Sequence, residues 1–215
     1  MGNFEAVSVA TYNRMPIYLK ALYTLKDRGE KHVSSVTLAE TVRENPSVVK
    51  KDLSYAIKTE GKPRIGYELK KLIEDVENFL GYNNVKCAVL VGVGKLGQAL
   101  MGYGGFAKYG LDIVAGFDVD ENLIGKEING KQVLSTAKLT EKVRQSGVKI
   151  GILATPKQFA QEMADKLVKG GIRAIWNFTP SHIDVPSNVT VKNEDMASSL
   201  AILSKQLEVI LRKEE

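Results

Sequence analysis

The stretch VGVGKLGQAL, residues 91–100, decides how the second half of this chain folds. It follows an apolar run, Lys86–Val91, that is typical of a buried strand, and it opens a stretch that is typical of a helix. The turn has the spacing G-x-G-x-x-G and consists of Gly92, Val93, Gly94, Lys95, Leu96 and Gly97. In dinucleotide-binding folds the first glycine permits a tight turn, the second lets the backbone approach a pyrophosphate, and the third lets the helix pack on the strand. The sequence therefore predicts a dinucleotide site at this turn.

An acid at the end of the next apolar run indicates which dinucleotide fits. Asp118 lies 21 residues beyond Gly97, where a carboxylate accepts hydrogen bonds from a ribose 2′-hydroxyl and repels a 2′-phosphate. The next residues, Val119 and Asp120, include no arginine that would attract a phosphate, so the pattern favours NADH and NAD+ over the phosphorylated cofactors. Two alternatives stay open: Asp118 caps a turn, or the same fold and loop bind coenzyme A.

Short apolar runs alternate with helical stretches through the second half. The predicted strands are Lys86–Val91, Asp112–Phe117, Lys149–Leu153 and Arg173–Asn177. The predicted helices are Gln98–Lys108, Leu139–Ser146 and Lys157–Lys169. Such alternation predicts an α/β domain with a Rossmann-like, doubly wound parallel sheet and right-handed crossovers.

Two further turns follow predicted strands of this sheet. Thr155 and Pro156 come after the third strand, and Asn177 and Phe178 come at the end of the fourth. Ligands of open α/β sheets bind outside the carboxyl ends of the strands, so we expect these residues near the nicotinamide half of the cofactor. Ordinary turn chemistry explains the same residues equally well.

The first half of the chain shows helical periods instead of strands. A helix is expected over Pro16–Arg28, with its proline in the first turn. Ser34 or Ser35 suits the cap of a second helix, and Asn45 and Pro46 suit the cap and first position of a third. Two helices joined by a tight turn, the second polar and basic on its outer side, are typical of a helix-turn-helix.

The third helix and the turn after it carry the predicted contacts to DNA. Val49, Leu53 and Ile57 form its apolar stripe, while the other faces are rich in donors and cations. The following residues 61–69, GKPRIGYEL, suit the wing of a winged helix, with cations that reach the minor groove. The candidate DNA-binding residues are Ser34, Ser35, Ser47, Lys50, Lys51, Ser54, Tyr55, Lys58, Lys62 and Arg64.

Positive charge is concentrated around this helix. Residues 43–71 contain eight bases against four acids, which accounts for most of the net charge of +5. Cations that neutralise phosphates give a salt-dependent affinity for DNA by counterion release. The alternative is an ordinary solvated helical surface, and the combination of cap, turn, basic helix and basic turn favours DNA.

Composition excludes several other classes of function. With Cys87 as its only cysteine, the chain has neither a disulfide framework nor a cysteine metal site, and no other metal site is expected. An apolar run of membrane-spanning length and a signal peptide are both missing, so we expect a cytoplasmic protein without a membrane partner. The two histidines, His32 and His182, lie outside any catalytic pattern, and too few residues follow the last predicted strand for a substrate domain. A protein without catalytic residues is therefore favoured over a small NAD-dependent oxidoreductase or a coenzyme A-binding module.

The last residues form an amphipathic helix. Its seam is spaced 4, 3, 4 and 3 residues apart and consists of Met196, Leu200, Leu203, Leu207 and Ile210. Packing on its own domain is the default explanation, and insertion into a second subunit is the alternative. A symmetric dimer would suit palindromic DNA.

Taken together, these stretches resemble the Rex family of redox-sensing transcriptional repressors over nearly the whole chain. The matching stretches are YLKALYTL, VSSVTLAE, VKKDLSY, IGYEL, VGVGKLGQAL, GFDVD, NFTP and NEDMASSL. The resemblance implies a winged-helix domain over residues 1–82, a Rossmann domain over 83–193 and a dimerisation helix over 194–215 that is swapped between the subunits of a homodimer. It also implies that NADH releases the protein from a palindromic operator, whereas NAD+ competes and favours the bound form.

The resemblance also assigns roles to single residues. Gly92 to Gly97 would hold the pyrophosphate and Asp118 the adenosine ribose. Tyr103 would engage Asp195 of the swapped helix when NADH is bound, and in the DNA-bound form this acid would pair with Lys20. Met196 stands where a bulky apolar residue enters the partner's pocket.

The chain departs from the family at two of these places. The family's usual residue at position 20 is arginine, so a bidentate ion pair becomes a point-charge contact. The wing stretch AIKTEGKPRIGY is one residue longer than usual and has Pro63 and Arg64 where Arg-Gly is common. Operator preference is therefore less firmly implied than the fold.

Overall fold

Residues 7–83 and 86–214 are described by a computed structural model of the chain, without the side chains of residues 196, 213 and 214. The chain divides into two units, residues 1–84 and 85–215. Within the described ranges, none of the helices combines the length and the apolar character needed to cross a bilayer.

The N-terminal unit consists of helices around one core and a small pair of strands. Its elements are α1 (Val9–Asp27), β1 (His32–Val33), α2 (Ser35–Val42), α3 (Pro46–Ala56), β2 (Tyr67–Glu68) and α4 (Leu69–Leu80). β1 and β2 pair antiparallel, and every helix contributes fully buried residues such as Leu19, Leu38, Leu53 and Leu72 to the core. This is a winged helix-turn-helix, in which α2 and α3 are the paired helices.

Two of the predicted helix starts are confirmed by their caps. The Ser34 side chain accepts a hydrogen bond of 3.0 Å from the Thr37 N–H at the start of α2. The Asn45 side chain accepts one of 2.8 Å from the Ser47 N–H at the start of α3. These bonds satisfy amides that would otherwise lack a partner, which fixes where each helix begins.

The predicted start of the first helix was wrong, and α4 was not predicted at all. The Ser8 side chain accepts from the Thr11 N–H at 3.1 Å, so α1 begins at Val9 and Pro16 lies inside it. Pro16 and Tyr12 both lie on the exposed side of α1, where water can bind the carbonyl group that proline leaves without a donor. A proline is therefore a poorer marker of this helix start than the serine eight residues earlier.

The C-terminal unit contains a seven-stranded sheet with the order β5-β6-β4-β3-β7-β8-β9. The strands are β3 (Lys86–Val91), β4 (Leu111–Asp118), β5 (Glu127–Ile128), β6 (Lys131–Ser135), β7 (Ile150–Leu153), β8 (Ala174–Asn177) and β9 (Thr190–Asn193). All neighbours pair parallel except β5 and β6. This is the Rossmann-like order. Successive strands are added toward one edge of the sheet from β3 and toward the other edge from β7, and such sheets bind ligands at this reversal point.

The helices of this unit are α5 (Lys95–Met101), α6 (Leu139–Ser146), α7 (Ala160–Gly170) and α8 (Met196–Glu214). The predicted helix Gln98–Lys108 is wrong, since α5 ends at Met101 and a separate 3₁₀ segment covers Gly104–Tyr109. Three glycines within four residues explain the break, because glycine is a poor helix former. A 3₁₀ turn, Lys157–Phe159, likewise precedes α7.

The four predicted strands are confirmed to within one residue at each end. The sequence patterns missed β5, β6 and β9, which are short and mostly polar and lie toward the edges of the sheet. Apolar clusters fill both faces of the sheet, one around Val91 and Leu167 and the other around Leu90 and Ile113. The unit therefore positions the carboxyl ends of β3 and β7 side by side above a rigid core.

Candidate nucleotide site and nucleic-acid interface

The glycines after β3 are required by close backbone contacts. Gly92 has φ +94°, and a Cβ there would lie 2.6 Å from the Ala154 carbonyl oxygen at the end of β7. A Cβ on Gly97 would lie 2.0 Å from the Gly92 carbonyl oxygen, so α5 packs directly on the turn. A Cβ on Gly94 would meet nothing within 4 Å and would project into open space. These are the three roles expected of the motif, with room for a ligand at the middle glycine.

A cavity of about 700 Å³ opens beside this turn. Eight of the predicted cofactor residues line it: Gly92, Gly94, Lys95, Leu96, Asp118, Thr155, Pro156 and Phe178. They come from the turn after β3, the end of β4, the turn after β7 and the end of β8. A cavity of this volume at the reversal point of the sheet suits a dinucleotide or a similar ligand.

Asp118 holds the turn as well as facing the cavity. Its carboxylate accepts hydrogen bonds from the Val93 N–H at 2.6 Å, the Val119 N–H at 2.7 Å and the Asp120 N–H at 2.9 Å. Since a carboxylate has about four acceptor positions, one is left for a hydroxyl of a bound ligand. The turn-capping role and the ribose role of Asp118 are therefore compatible.

Thr155 supplies a direct indication of a ligand. Its side-chain oxygen is buried at the wall of the cavity and has no hydrogen-bond partner within the described part of the chain. A buried hydroxyl without a partner is unfavourable, and a polar ligand in the cavity would satisfy it. Together with the open space at Gly94, this hydroxyl shows that the residues present fit a dinucleotide.

Four of the predicted cofactor residues do not line the cavity. Val93 is fully buried and Gly97 lies beneath the turn, so both support the loop from behind. The Asn177 side chain is buried and bonded to Ser181, Asn193 and Thr179. The Asn177 side-chain amide therefore stabilises the fold and does not contact the cavity.

Tyr103 is the fourth of these residues. It lies beside a different surface depression, together with Asn129 and Lys131. Its side chain is 57% exposed and packs edge-on against Phe106. Tyr103 is thus accessible to a partner molecule but does not reach the cavity of its own subunit.

Sequence reasoning missed the far wall of the cavity. This wall comes mainly from the 3₁₀ turn before α7 and from α7 itself, and it consists of Phe159, Glu162, Met163 and Lys166. The helix that follows β7 begins at the reversal point of the sheet, where ligands bind. Its first turns could therefore have been predicted to line the cavity. Phe159 and Met163 are the apolar part of this wall, and Glu162 and Lys166 add one charge of each sign.

Most of the predicted DNA-binding residues are exposed on the N-terminal unit. Val49 and Leu53 of α3 are fully buried, and Ile57 is half-buried just past the helix end. The other predicted residues of this helix are exposed. They are Ser47, Lys50, Lys51, Ser54 and Tyr55 on α3 and Lys58 just after it. Ser34 and Ser35 are half-buried at the start of α2. The sequence thus separates the buried and basic sides of α3 as predicted.

The wing is a tight turn. Lys62 and Gly66 exchange two backbone hydrogen bonds of 2.8 and 2.9 Å. Arg64 at its tip has φ +66°, and the side chains of Lys62 and Arg64 are exposed. Both cations therefore project from a short, closed loop.

A buried acid fixes α3 to α1. Asp52 is 2% exposed and accepts hydrogen bonds from Arg14 at 2.6 and 3.0 Å, Tyr18 at 2.8 Å and Thr11 at 2.9 Å. Burial by itself would raise the pKa of Asp52, but these hydrogen bonds outweigh it and leave that pKa below its usual value. In the sequence, Asp52 counts only as one of the four acids among residues 43–71, and its spacing on the buried side of α3 was the missed signal.

The predicted switch residues lie on both units. Lys20 is exposed on α1, and Asp195 is exposed immediately before α8. The Asp195 carboxylate accepts from the N–H and the hydroxyl of Ser198, and these bonds lower the pKa of Asp195. The side chain of Met196 lies outside the described residues.

Helix α8 does not pack on its own domain, so the default explanation of its seam was wrong. Leu200, Leu203, Leu207 and Ile210 are 62%, 61%, 53% and 53% exposed. An apolar stripe left in water is unfavourable and indicates a partner surface.

Comparisons with known proteins found matches for both units of the chain. Two family models match, "Putative DNA-binding protein N-terminus" over residues 6–54 and "CoA binding domain" over residues 83–181. The chain is 41% identical to the redox-sensing transcriptional repressor Rex of Bacteroides fragilis, over 92% of this chain and 89% of that protein.

Similar solved structures include those of RSP, a Rex-family repressor. RSP in complex with β-NAD+ and operator DNA aligns with a TM-score of 0.89 and 33% identity, over 97% of this chain and 96% of that one. RSP in complex with β-NADH aligns with a TM-score of 0.87 and 32% identity, over 98% and 99%.

Proposed function

This chain belongs to the Rex family of redox-sensing transcriptional repressors, and we propose that it is a homodimeric, cytoplasmic repressor that leaves its operator DNA when NADH is bound. The observation that carries the proposal is the presence, in one chain, of a dinucleotide-type cavity and an exposed basic helix-turn-helix. RSP binds both β-NAD+ and operator DNA, and the similarity to it covers nearly the whole chain.

Different cavity residues would contact different parts of NADH or NAD+. Gly94 leaves room for the pyrophosphate, and Asp118 would offer an acceptor to the adenosine ribose. The unpartnered Thr155 hydroxyl would bond to the nicotinamide half. The bound cofactor supplies a nicotinamide ring that is neutral when reduced and cationic when oxidised. We expect the ring to lie against Phe159 and Met163 and away from the Glu162 carboxylate, because only there is a buried cation disfavoured. A tenfold preference for the neutral ring needs only about 1.4 kcal/mol.

DNA binding is assigned to α3 and the wing. Lys51 and Ser54 are exposed on α3 and would read base edges in the major groove, while the exposed Lys62 and Arg64 would neutralise phosphates or enter the minor groove. Two copies in a symmetric dimer would read a palindromic operator.

The exposed seam of α8 is the dimer contact in this proposal. Residues 1–82 act as the DNA-binding domain, residues 83–193 as the cofactor domain, and residues 194–215 cross to the partner subunit. Asp195 would pair with Lys20 in the DNA-bound form and with Tyr103 in the NADH-bound form. A ligand shifts such a two-state equilibrium only by its preference for one state, so NADH must favour the released form.

A repressor carries out no bond-making step, and the named relatives are repressors, not oxidoreductases. Coenzyme A is a second candidate ligand, because the "CoA binding domain" model covers residues 83–181. Calorimetry with coenzyme A and with NADH separates the two, and tighter binding of coenzyme A would reassign the cavity.

Fluorescence anisotropy tests the proposed function directly. A labelled duplex is first selected from a random library by binding to the cofactor-free protein. NADH and NAD+ are then titrated separately into the complex. We expect NADH to release the duplex at a concentration at least tenfold lower than NAD+ does, and equal effects of the two forms would refute redox sensing.

A further inference from the structure

We propose that Trp176 and Glu194 are positioning residues that transmit occupancy of the cofactor cavity to the start of the tail helix α8. The inference rests on the proposed function and adds two residues to it. Neither residue lines the cavity next to the glycine turn, so their effect is on release of DNA and not on cofactor contact.

A row of aromatic side chains leads away from the cavity. Phe178 lines the cavity, and its ring centre lies 4.8 Å from that of Trp176. Trp176, the only tryptophan of the chain, lies 5.4 Å from Phe106, which lies 4.9 Å from Tyr103. Close-packed rings cannot shift independently, so a displacement of Phe178 by a ligand must be accommodated by Trp176.

Trp176 is also bonded to the segment that precedes α8. Its indole N–H donates a hydrogen bond of 2.9 Å to the Glu194 carboxylate. The Glu194 N–H in turn donates to the Asn177 carbonyl oxygen at 2.8 Å, at the end of β8. Asp195 follows, and α8 begins at Met196. Among the described residues, Glu194 is thus joined to β8 by one backbone and one side-chain hydrogen bond, immediately before the tail helix.

The space next to Phe178 completes the connection. Phe178 also faces a second cavity of about 690 Å³, which Glu194 and Asp195 line together with Ala197 of α8. The Phe178 residue therefore borders both the cofactor cavity and the cavity at the start of the tail helix. Since tryptophan has one polar donor and Glu194 accepts it, the direction of this bond depends on the position of the indole ring.

Three variants isolate the hydrogen bond from the aromatic packing. Trp176→Phe keeps a ring but removes the donor, Glu194→Ala removes the acceptor, and Glu194→Gln keeps an acceptor oxygen. Glu208→Ala, which removes an exposed carboxylate from α8, is the matched control. For each protein, calorimetry gives the Kd of NADH without DNA, anisotropy gives the NADH concentration at half-release of the operator, and thermal melting checks the fold.

We expect Trp176→Phe and Glu194→Ala to need about fivefold more NADH for half-release, with Kd values for NADH within about twofold of the wild type. Glu194→Gln and Glu208→Ala should release at close to the wild-type concentration. The double variant Trp176→Phe/Glu194→Ala should be no worse than either single variant, because both remove the same bond.

Two results would overturn this role: half-release at the wild-type NADH concentration in both single variants, or a rise in Kd equal to the rise in the half-release concentration. A wild-type protein that keeps its operator at saturating NADH would instead refute the proposed function. Release by the wild type is therefore the reference against which the variants are judged.

Discussion

Among single residues, Thr155 gives the sharpest prediction about the cofactor site. Because this oxygen has no partner among the described residues, Thr155→Val should leave the free energy of unfolding unchanged or slightly higher. If the hydroxyl bonds to the cofactor, the same change should weaken NADH binding by about 1 kcal/mol, or about fivefold in Kd. Urea unfolding and calorimetry measure the two effects.

Thr140→Val is the matched control for this change. The Thr140 hydroxyl donates to the Lys166 carbonyl oxygen at 3.1 Å, so its loss should lower stability and leave the Kd of NADH unchanged. An unchanged Kd in Thr155→Val would contradict a role of this hydroxyl in cofactor binding.

At the scale of residues, the sequence predicted those roles that depend on spacing within one short segment. The roles of Gly92 and Asp118 follow from a turn of fixed length after a strand, so their geometry was predictable. The bonding of Asn177 depends on Asn193 and Ser181, which β9 and a later loop bring close. No pattern near Asn177 contains that information.

At the scale of elements, Asp52 fixes the position of α3, which we propose is the recognition helix. Its hydrogen bonds to Arg14, Tyr18 and Thr11 depress its pKa in the folded state, so it stabilises the fold fully above its unfolded pKa of about 3.9. This contribution is lost as the pH falls through the lower, folded pKa. Asp52→Asn should therefore cost about 2–3 kcal/mol at pH 7 and progressively less below about pH 4.

Urea unfolding followed by circular dichroism between pH 3 and pH 7 tests this prediction. The exposed Glu60 supplies the control, and Glu60→Gln should lower stability by less than about 0.5 kcal/mol at every pH. A constant difference between Asp52→Asn and the wild type across this range would show that the charge of Asp52 does not matter.

The recognition helix and the wing should differ in how they contribute to DNA binding. Lys51→Ala and Ser54→Ala should weaken binding to the selected operator by about 1–3 kcal/mol more than binding to random duplex. Lys62→Ala and Arg64→Ala should weaken binding to both and reduce the slope of log K against log salt by about one unit each. Anisotropy titrations at several salt concentrations distinguish these patterns, and four variants with wild-type binding would mean that the DNA surface lies elsewhere.

Elements with strong local signals were predictable and the others were not. The caps at Ser34 and Asn45 and the glycine after α6 mark helix ends directly. The wrong helix Gln98–Lys108 arose because its apolar residues continue across Gly102, Gly104 and Gly105, where α5 gives way to the 3₁₀ segment. The short edge strands carry too few apolar residues to stand out.

At the scale of the whole molecule, the exposed seam of α8 predicts the oligomeric state. Leu203→Asp places a charge in the middle of this seam and should convert the dimer to a monomer. Ala201→Asp adds the same charge on the opposite side of the helix and should leave the dimer intact. Analytical ultracentrifugation at micromolar concentration distinguishes the two, and a dimer that survives Leu203→Asp would place the interface elsewhere.

The sequence predicted the spacing of this seam but not its environment. Heptad-like spacing is the same for a helix that packs on its own sheet and for one that binds a second copy. Only the exposure of Leu200 and Leu207 in the folded chain separates the two explanations. The relation between cofactor and DNA is likewise a property of the assembly, which no single motif encodes.

The most direct test of the account measures operator occupancy at a constant total concentration of cofactor while the NADH/NAD+ ratio is varied. We predict that the wild-type dimer occupies its operator at low ratios and leaves it as the ratio rises, with no change in the total cofactor bound. Occupancy that follows the total concentration and ignores the ratio, or that responds to neither, would contradict the claim that this protein couples the redox state of NAD to its hold on DNA.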